Sequence, residues 1–287
     1  MDEGQPSNTA QILARHRALH LMVDGDPKIY GDRLAMDFLG SEEITRLEAN
    51  PEIFQTPQSR SLRAVAVLRQ RYVEDELAKA VQRGVSQYVI LGAGLDPFAY
   101  QRPDSFRALR IFEVDHPLTQ QWKRRRLEQL DIAIPNALTF IPIDFDVQTL
   151  AEGMAASTFS EKDAAFFSWL GVTQYLTEAA VFGTLAYVAS HTAPGSEIVF
   201  QIILPASSLN AEDKALVSST SQRAAGYGEP WLSYFEPEEI ETRLKGMGFG
   251  NVVHFGAKEA SAKYFQGRTD GLTPPNYFAL IQARVGP

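Results

Sequence analysis

Two glycines and a carboxylate follow apolar segments of this sequence at a spacing that suits nucleoside binding. Gly92 and Gly94 come directly after the apolar run 88–91, which is long enough for a buried strand and too short for a typical globular helix. The next apolar run, 109–114, leads into Asp115. A glycine turn after one strand and an acidic residue at the end of the next is how doubly wound α/β domains hold a ribose. These residues predict a nucleoside site.

The residue at position 97 bears on which ligand the turn can hold. A dinucleotide site wants a third glycine in G-x-G-x-x-G, so that the pyrophosphate can press against the turn. Here that position is Pro97, whose bulk is hard to reconcile with a pyrophosphate. The phosphate-binding pattern G-x-x-x-x-G-K-[ST] does not occur in the sequence. A nucleoside without phosphates, S-adenosylmethionine, is therefore favoured, and a NAD-type oxidoreductase stays as the less favoured alternative.

From Val85 onward the pattern alternates between strands and helices, which predicts an α/β fold with a mostly parallel sheet. We expect strands at 87–92, 109–114, 138–142, 164–169, 197–204, 251–255 and 276–283, and helices at 117–131, 146–153, 177–191 and from 236 to about 246. Before Val85 the amphipathic pattern predicts helices at 10–23, 33–39, 42–48 and 58–81.

Composition narrows the class of protein. A formal charge of −8 argues against nucleic acid as a partner, and the basic run 123–126 is predicted to be a solvated helix face. No apolar run approaches the ~20 residues of a membrane span, and the start of the chain lacks a signal-peptide pattern. There is no cysteine, so neither a disulfide framework nor a thiolate metal site is available. We expect a cytoplasmic protein with no metal and no membrane partner.

Several segments together resemble the leucine carboxyl methyltransferase family of class I S-adenosylmethionine-dependent methyltransferases, in particular its bacterial branch of O-methyltransferases. The resemblance spans about residues 10–283, and its most specific segments are the glycine turn with its following Leu-Asp and the Phe-Glu-Val-Asp run. The segments that carry it are 17–20 with 26–27, 69–72 with 74–75, 89–97 with 99–102, 112–117, 142–145, 171–176, and 228–232 with 235–237.

The resemblance implies a Rossmann-like class I fold in which a mostly parallel seven-stranded sheet has helices on both faces. It implies one methyltransferase domain, 1–287, with an N-terminal helical lid and a helical insertion after the fifth strand. We divide it into the helical lid 1–84, the cofactor-binding core 85–204, the substrate lid 205–235, and the C-terminal helix and strands 236–287.

The resemblance also implies how S-adenosyl-L-methionine is held. Arg71 would pair with the cofactor carboxylate, with Arg69 as the competing alignment, because the planar guanidinium fork suits a carboxylate. The methionine part would lie against Gly92 and Gly94, and Asp115 would hold the ribose hydroxyls.

At the other end of the cofactor, Asp144 and Phe145 would frame the adenine, the carboxylate accepting from the exocyclic amine and the ring packing on the base. Glu113 is a weaker candidate for the ribose than the acidic residue at the end of its strand.

The acceptor is less defined. Where the family commonly has a glutamate before the glycine at position 171, this chain has Leu170. We expect O-methylation of a small-molecule carboxylate or hydroxyl, in secondary metabolism. The alternatives are a protein carboxyl methyltransferase and a cofactor-binding protein with a repurposed activity. A carboxylate needs no general base near pH 7, whereas a hydroxyl is helped by one. His116, His191 and Tyr175 are weak catalytic candidates, and no oligomeric state is predicted.

Overall fold

In the computed structural model, which describes residues 7–145 and 147–287, the strands form one seven-stranded sheet of order β3-β2-β1-β4-β5-β7-β6. β7 runs antiparallel to both of its neighbours, and the pairs from β3 through β5 are parallel. Every predicted strand is present, with ends shifted by up to two residues. The strands are β1 (Gln87–Leu91), β2 (Arg110–Asp115), β3 (Leu138–Pro142), β4 (Ala165–Trp169), β5 (Glu197–Ile203), β6 (Phe249–Phe255) and β7 (Phe278–Val285).

Helices α1 to α3 precede the first strand in the sequence, and the other helices lie between or after the strands. Within the described ranges, no helix is long and apolar enough to cross a bilayer. The helices are α1 (Asn8–Val23), α2 (Arg33–Glu48), α3 (Pro57–Gln82), α4 (Phe98–Gln101), α5 (Pro117–Gln129), α6 (Leu150–Ala155), α7 (Glu178–Ser190), α8 (Ala211–Gly226), α9 (Pro237–Gly246) and α10 (Ala257–Ala260).

The sheet has an apolar core on each face, as the alternation of side chains along a strand requires. In β1, Tyr88 and Ile90 pack in the core that includes α3, and Val89 and Leu91 pack in the core that includes α7. All five residues of this central strand are buried. The α/β fold with helices on both faces of a mostly parallel sheet is confirmed.

The helices before the sheet are joined to the turn that follows β1. Arg17 of α1 is 3% exposed, and its Nε donates to Asp32 at 2.6 Å. Its Nη2 donates to the carbonyl oxygen of Leu95 at 2.7 Å. Both contacts are buried and charge-assisted. The first joins α1 to Asp32 at the start of α2, and the second joins α1 to the turn.

One sequence expectation about local structure is wrong, and two short helices were not predicted. Helix α6 begins at Leu150 and not at 146, a position outside the described residues, because Thr149 and Glu152 form a reciprocal capping box that starts the helix there. The short helices α4 and α10 were not expected. Each spans only four residues, too few to display a helical period in the sequence.

The basic run 123–126 is not wholly a solvated face. Lys123 is 1% exposed. Its Nζ donates to the Glu113 carboxylate and to the carbonyl oxygen of Asp96, each at 2.8 Å. Burial raises the pKa of Glu113 to about 7, and the Lys123 ammonium partly offsets this. Glu113 is therefore occupied by a structural pair that ties α5 to β2 and to the turn after β1.

A buried histidine predicts a loss of stability in acid. Burial lowers the pKa of His16 to about 4, so the folded state favours neutral imidazole while the unfolded chain binds a proton from about pH 6.5 downward. We expect the free energy of unfolding to fall by up to about 3 kcal/mol from this group between pH 6.5 and pH 4. When the free energy of unfolding is measured with urea at several pH values across that range, it should fall less steeply with decreasing pH in His16→Gln than in wild type. His191→Gln, at an exposed position, should keep the wild-type dependence of the unfolding free energy on pH. If His16→Gln also keeps it, His16 is not the group that destabilises the fold in acid.

Candidate active site

A cavity of about 500 Å³ lies at the carboxyl ends of β1, β2 and β4. This edge of a mostly parallel sheet is where ligands bind in open α/β folds. One side of the cavity is the turn 92–96 after β1 together with the loop 168–172 at the end of β4. The other side is the first turns of α1 and the segment 228–232 after α8.

The glycine turn is shaped so that the backbone itself forms the cavity wall. Gly92 and Gly94 have φ of 65° and 48°, a region that side chains with a Cβ rarely adopt. A Cβ on Gly92 would lie 2.4 Å from Cγ2 of Val172, and one on Gly94 would lie 3.2 Å from Cβ of Ala10. Both position and conformation therefore require glycine, and α1 lies directly against the turn.

Asp115, the last residue of β2, holds the same turn. Its two carboxylate oxygens accept from the backbone N–H groups of Gly94, at 2.5 Å, and of His116, at 2.6 Å. Burial raises the pKa of Asp115, and these two donors partly offset that shift. A carboxylate oxygen has two lone-pair sites, so acceptor capacity remains toward the cavity that Asp115 lines. Two hydroxyl groups on adjacent carbons of a ligand could both donate to the Asp115 carboxylate.

The two candidate arginines of α3 have different surroundings. Arg69 is 6% exposed and lines the cavity. Its Nη1 donates to Gln201 at 3.3 Å, and its Nε has no partner among the described residues. Burial lowers the pKa of Arg69 to about 10, with the charge of Arg17 adding to the effect, so the guanidinium remains charged near pH 7. Arg71 pairs with Asp75 at 2.9 Å, and its side chain is 45% exposed. The structure thus places Arg69, and not Arg71, at the cavity.

The residues predicted for adenine lie beyond the end of β3. Phe145 lines the cavity with its ring 52% exposed. Asp144 is adjacent in sequence, and its Oδ2 lies 3.7 Å from Nε2 of His116. His116 itself lines the cavity and caps α5, its Nδ1 accepting from the backbone N–H of Leu118 at 3.2 Å. The structure thus places the ring of Phe145 at the cavity, whereas Asp144 lies beside His116 and does not itself line the cavity.

Comparison with known proteins decides the family. A family model described as leucine carboxyl methyltransferase matches residues 10–189. The Bacillus subtilis protein named "Putative S-adenosyl-L-methionine-dependent methyltransferase YktD" is 31% identical, over 95% of this chain and 96% of its own length. The chain belongs to the leucine carboxyl methyltransferase family.

A second relative is also named as a methyltransferase, and a solved structure shares the fold. A Streptomyces coelicolor protein, "Putative S-adenosyl-L-methionine-dependent methyltransferase SCO6443", is 33% identical over 88% of this chain and 84% of its own. The crystal structure titled as a putative methyltransferase from Thermobifida fusca has a TM-score of 0.59 at 16% identity, covering 100% of this chain and 97% of that one, which supports the fold. The protein is an S-adenosyl-L-methionine-dependent methyltransferase, so the NAD-type oxidoreductase is set aside.

The residues around the cavity fit the cofactor of this methyltransferase family. Arg69 offers a desolvated guanidinium with an unused donor, Asp115 offers acceptor capacity for two hydroxyls, and the turn 92–94 admits close approach of a ligand to the backbone. Leu170 lies at the wall where the family resemblance leads one to expect a glutamate.

The three weak catalytic candidates are separated in this methyltransferase. His191 ends α7, stacks on Tyr187 at a centroid distance of 4.8 Å and contacts Ser190; it does not line the cavity. His116 lines the same end of the cavity as Phe145. Tyr175 alone lies on the wall between the cavity and a second, smaller space.

That second space has a volume of about 70 Å³. It is called the acceptor chamber after the role proposed for it below. It adjoins the cofactor cavity, with which it shares Thr9, Leu13, Arg69 and Tyr175. Its walls come from α1, α3, β5, α8 and the segment after α8, and are mainly aromatic and aliphatic. The apolar members include Ile12, Leu62, Val65, Ile203, Ala224, Tyr227, Trp231 and Tyr277.

Of the residues that line this chamber, sequence reasoning singled out only Arg69 and Tyr175. Gln201 of β5 and Trp231 after α8 are far from the glycine turn in sequence, and both line the chamber. The available signals were the predicted substrate lid 205–235 and the motif segment 228–232, which contains Trp231. Trp169, in contrast, is 3% exposed and packs in the core beside Phe200.

Proposed function

We propose that this methyltransferase transfers the methyl group of S-adenosyl-L-methionine to a carboxylate oxygen of a small molecule. The observation that carries the proposal is the chemical make-up of the acceptor chamber. Its described lining residues include two cations, Arg69 and Arg223, and no aspartate, glutamate, histidine or lysine. A positively charged space with mainly aromatic and aliphatic walls favours an anionic acceptor with an apolar body.

The lack of a base in that lining supports a carboxylate over a hydroxyl. Burial raises the pKa of Tyr175, and the neighbouring polar groups of Trp231, Gln174 and Thr9 partly offset this shift. Burial raises the pKa of Tyr277 to about 12. Both phenols therefore stay protonated near pH 7 and cannot remove a proton efficiently. A carboxylic acid is already ionised at that pH, whereas a phenol of pKa about 10 is not.

We assign the cofactor to the larger cavity. The guanidinium of Arg69 would pair with the cofactor carboxylate, Gly92 and Gly94 would contact its methionine part, and Asp115 would accept from the ribose hydroxyls. Asp144 and Phe145 would contact the adenine. Arg71 has no part in this assignment, because its side chain pairs with Asp75 outside the cavity.

The sulfonium of the bound cofactor supplies an activated methyl group, so the chain has to orient the acceptor and exclude water. We assign water exclusion to α1 and to segment 205–235, which meet across the mouth of the cavity. Ser7 at the start of α1 donates to Glu229 at 2.7 Å, and the backbone N–H of Leu232 donates to the carbonyl oxygen of Gln174 at 2.6 Å. These contacts close the side opposite the sheet.

The stability of the product in alkali tests the proposal. The protein is incubated with S-adenosyl-L-methionine labelled in its methyl group and with the small-molecule fraction of a cell extract, and in parallel with the macromolecular fraction. A methyl ester releases volatile methanol in mild alkali, whereas a methyl ether does not. We expect alkali-labile label in the small-molecule fraction. Label that survives alkali would exclude the carboxylate, and label confined to the macromolecular fraction would favour a protein acceptor.

Filling the acceptor chamber should separate acceptor from cofactor binding. Ala224 is 5% exposed on the chamber wall, and Ala224→Phe should reduce transfer at least about tenfold because overpacking there excludes the acceptor. Calorimetry should show S-adenosyl-L-homocysteine binding within about twofold of wild type. Ala225→Phe, at the next, exposed position, is the matched control and should retain transfer. Full transfer by Ala224→Phe would place the acceptor elsewhere.

A further inference from the structure

Two opposite charges face the cofactor cavity without an ionic partner. Arg69 forms no ion pair within residues 7–145 and 147–287, and the same holds for Glu229. Both residues line the cavity. The other cation of the wall, Arg17, is already paired with Asp32 at 2.6 Å. Since unpaired charges at a desolvated wall are costly, a ligand that carries both signs would satisfy the two together.

Glu229 is held in place but not neutralised. Its Oε1 accepts from the Ser7 hydroxyl at 2.7 Å, and its Oε2 is buried with no partner in the described part of the chain. Its backbone N–H donates to the carbonyl oxygen of Ala224 at 3.0 Å, which ties the residue to the end of α8. One carboxylate oxygen is thus positioned while the other lacks a donor.

The other carboxylates of the cavity are engaged differently. Asp115 accepts from two backbone N–H groups with both of its oxygens. Asp96 accepts from Gln70 with one oxygen, at 2.8 Å, and from the backbone N–H of Phe98 with the other, at 2.9 Å. Of these acidic residues, Glu229 is the one with a buried oxygen that no donor reaches.

We propose that Glu229 binds the α-ammonium group of S-adenosyl-L-methionine, on the opposite side of its amino-acid part from Arg69. In the loop after β4, Leu170 stands where a glutamate is expected. Segment 228–232 thereby supplies, from the opposite side of the cavity, a carboxylate that this loop lacks. The same side chain joins cofactor binding to closure, because its other oxygen holds Ser7 of α1. This inference rests on the proposed assignment of S-adenosyl-L-methionine to this cavity.

The test compares three ligands that differ in the amino-acid part. S-adenosyl-L-homocysteine carries both ammonium and carboxylate, its deaminated analogue carries the carboxylate alone, and 5′-methylthioadenosine carries neither. Titration calorimetry on Glu229→Gln should show S-adenosyl-L-homocysteine binding weakened about 10- to 100-fold, the loss of one charge-assisted hydrogen bond. Binding of the deaminated analogue and of 5′-methylthioadenosine should stay within about twofold of wild type.

Two further variants separate charge from fold and closure. Glu238→Gln, at an exposed position in α9, is the matched control for removing one negative charge and should leave all three affinities unchanged. Ser7→Ala keeps the carboxylate but removes its bond to α1, and it should weaken the three ligands to a similar, smaller extent.

The outcomes are distinguishable. An equal loss for the deaminated analogue in Glu229→Gln, or an ammonium-selective loss in Ser7→Ala, would overturn the assignment of Glu229. If Glu229→Gln behaves as expected while Arg69 substitution spares the carboxylate-bearing ligands, the ammonium site stands and the Arg69 pairing fails. If wild type binds none of the three ligands, the cofactor assignment itself fails.

Discussion

Replacing Arg69 by methionine is expected to weaken binding of S-adenosyl-L-homocysteine by about 30- to 1,000-fold. This corresponds to the roughly 2–4 kcal/mol lost when one partner of a desolvated charge pair is removed. The guanidinium is 6% exposed at the cavity wall and contacts Gln201 as its described side-chain partner. A carboxylate arriving in the cavity would therefore meet a cation that water does not screen. Binding of 5′-methylthioadenosine, which has no carboxylate, should be little changed.

The same substitution should not destabilise the ligand-free protein. Arg69 forms no ion pair in the described ranges and leaves its Nε without a hydrogen bond, so an apolar side chain of similar length removes a desolvation cost. Thermal unfolding of Arg69→Met should occur at or above the wild-type temperature. Arg71→Met is the matched control: its exposed pair with Asp75 is worth at most about 1 kcal/mol. If Arg71→Met loses affinity for S-adenosyl-L-homocysteine while Arg69→Met retains it, Arg71 and not Arg69 pairs with the cofactor carboxylate.

Removing the carboxylate of Asp115 should affect a different part of the cofactor. Asp115→Ala is expected to weaken S-adenosyl-L-homocysteine and 5′-methylthioadenosine by the same factor, about 30-fold or more, because both ligands carry the ribose. Part of the loss comes from the turn, whose Gly94 N–H donates to Asp115 at 2.5 Å. Calorimetry with the two ligands distinguishes this pattern from the ligand-selective loss in Arg69→Met. Retained affinity for 5′-methylthioadenosine in Asp115→Ala would exclude the ribose role.

The sheet and its glycine turn could be predicted because their signals are local. Short apolar runs such as 88–91 and the residues that follow them are readable in a window of about ten positions. The ordering of strands then brings the ends of β1 and β2 together without further information. Asp115 and Gly94 thus meet in the structure where the spacing of the two runs placed them.

The choice between Arg69 and Arg71 could not be made in that way. Two positions apart on a helix point to nearly opposite sides, and identifying the inner side requires a clear polar face. Much of α3 is buried on more than one side, including Arg63 and Gln70. Polar residues on this helix therefore do not mark solvent. Here the resemblance of sequence motifs left two alignments open, and packing places only Arg69 of the two at the cavity wall.

Long-range partners were the other part that the sequence did not provide. Glu229 meets Ser7 across 222 positions of chain, and no local pattern links them. Lys123 lies in a run of four basic residues, which normally indicates a solvated face. Lys123 differs from a solvated lysine because it pairs with Glu113 on β2, and this partner is evident only once α5 is packed against the sheet.

Arg69 lies on the wall that separates the cofactor cavity from the acceptor chamber. One guanidinium therefore serves two compartments, and a carboxylate in either of them draws on the same positive charge. Occupancy of one compartment then alters the affinity of the other, and linkage requires the effect to be equal in both directions. Under the proposed function, the donor carboxylate and the acceptor carboxylate compete for this shared counter-ion. Arg223, at the chamber's other wall, is the residue that could relieve the competition.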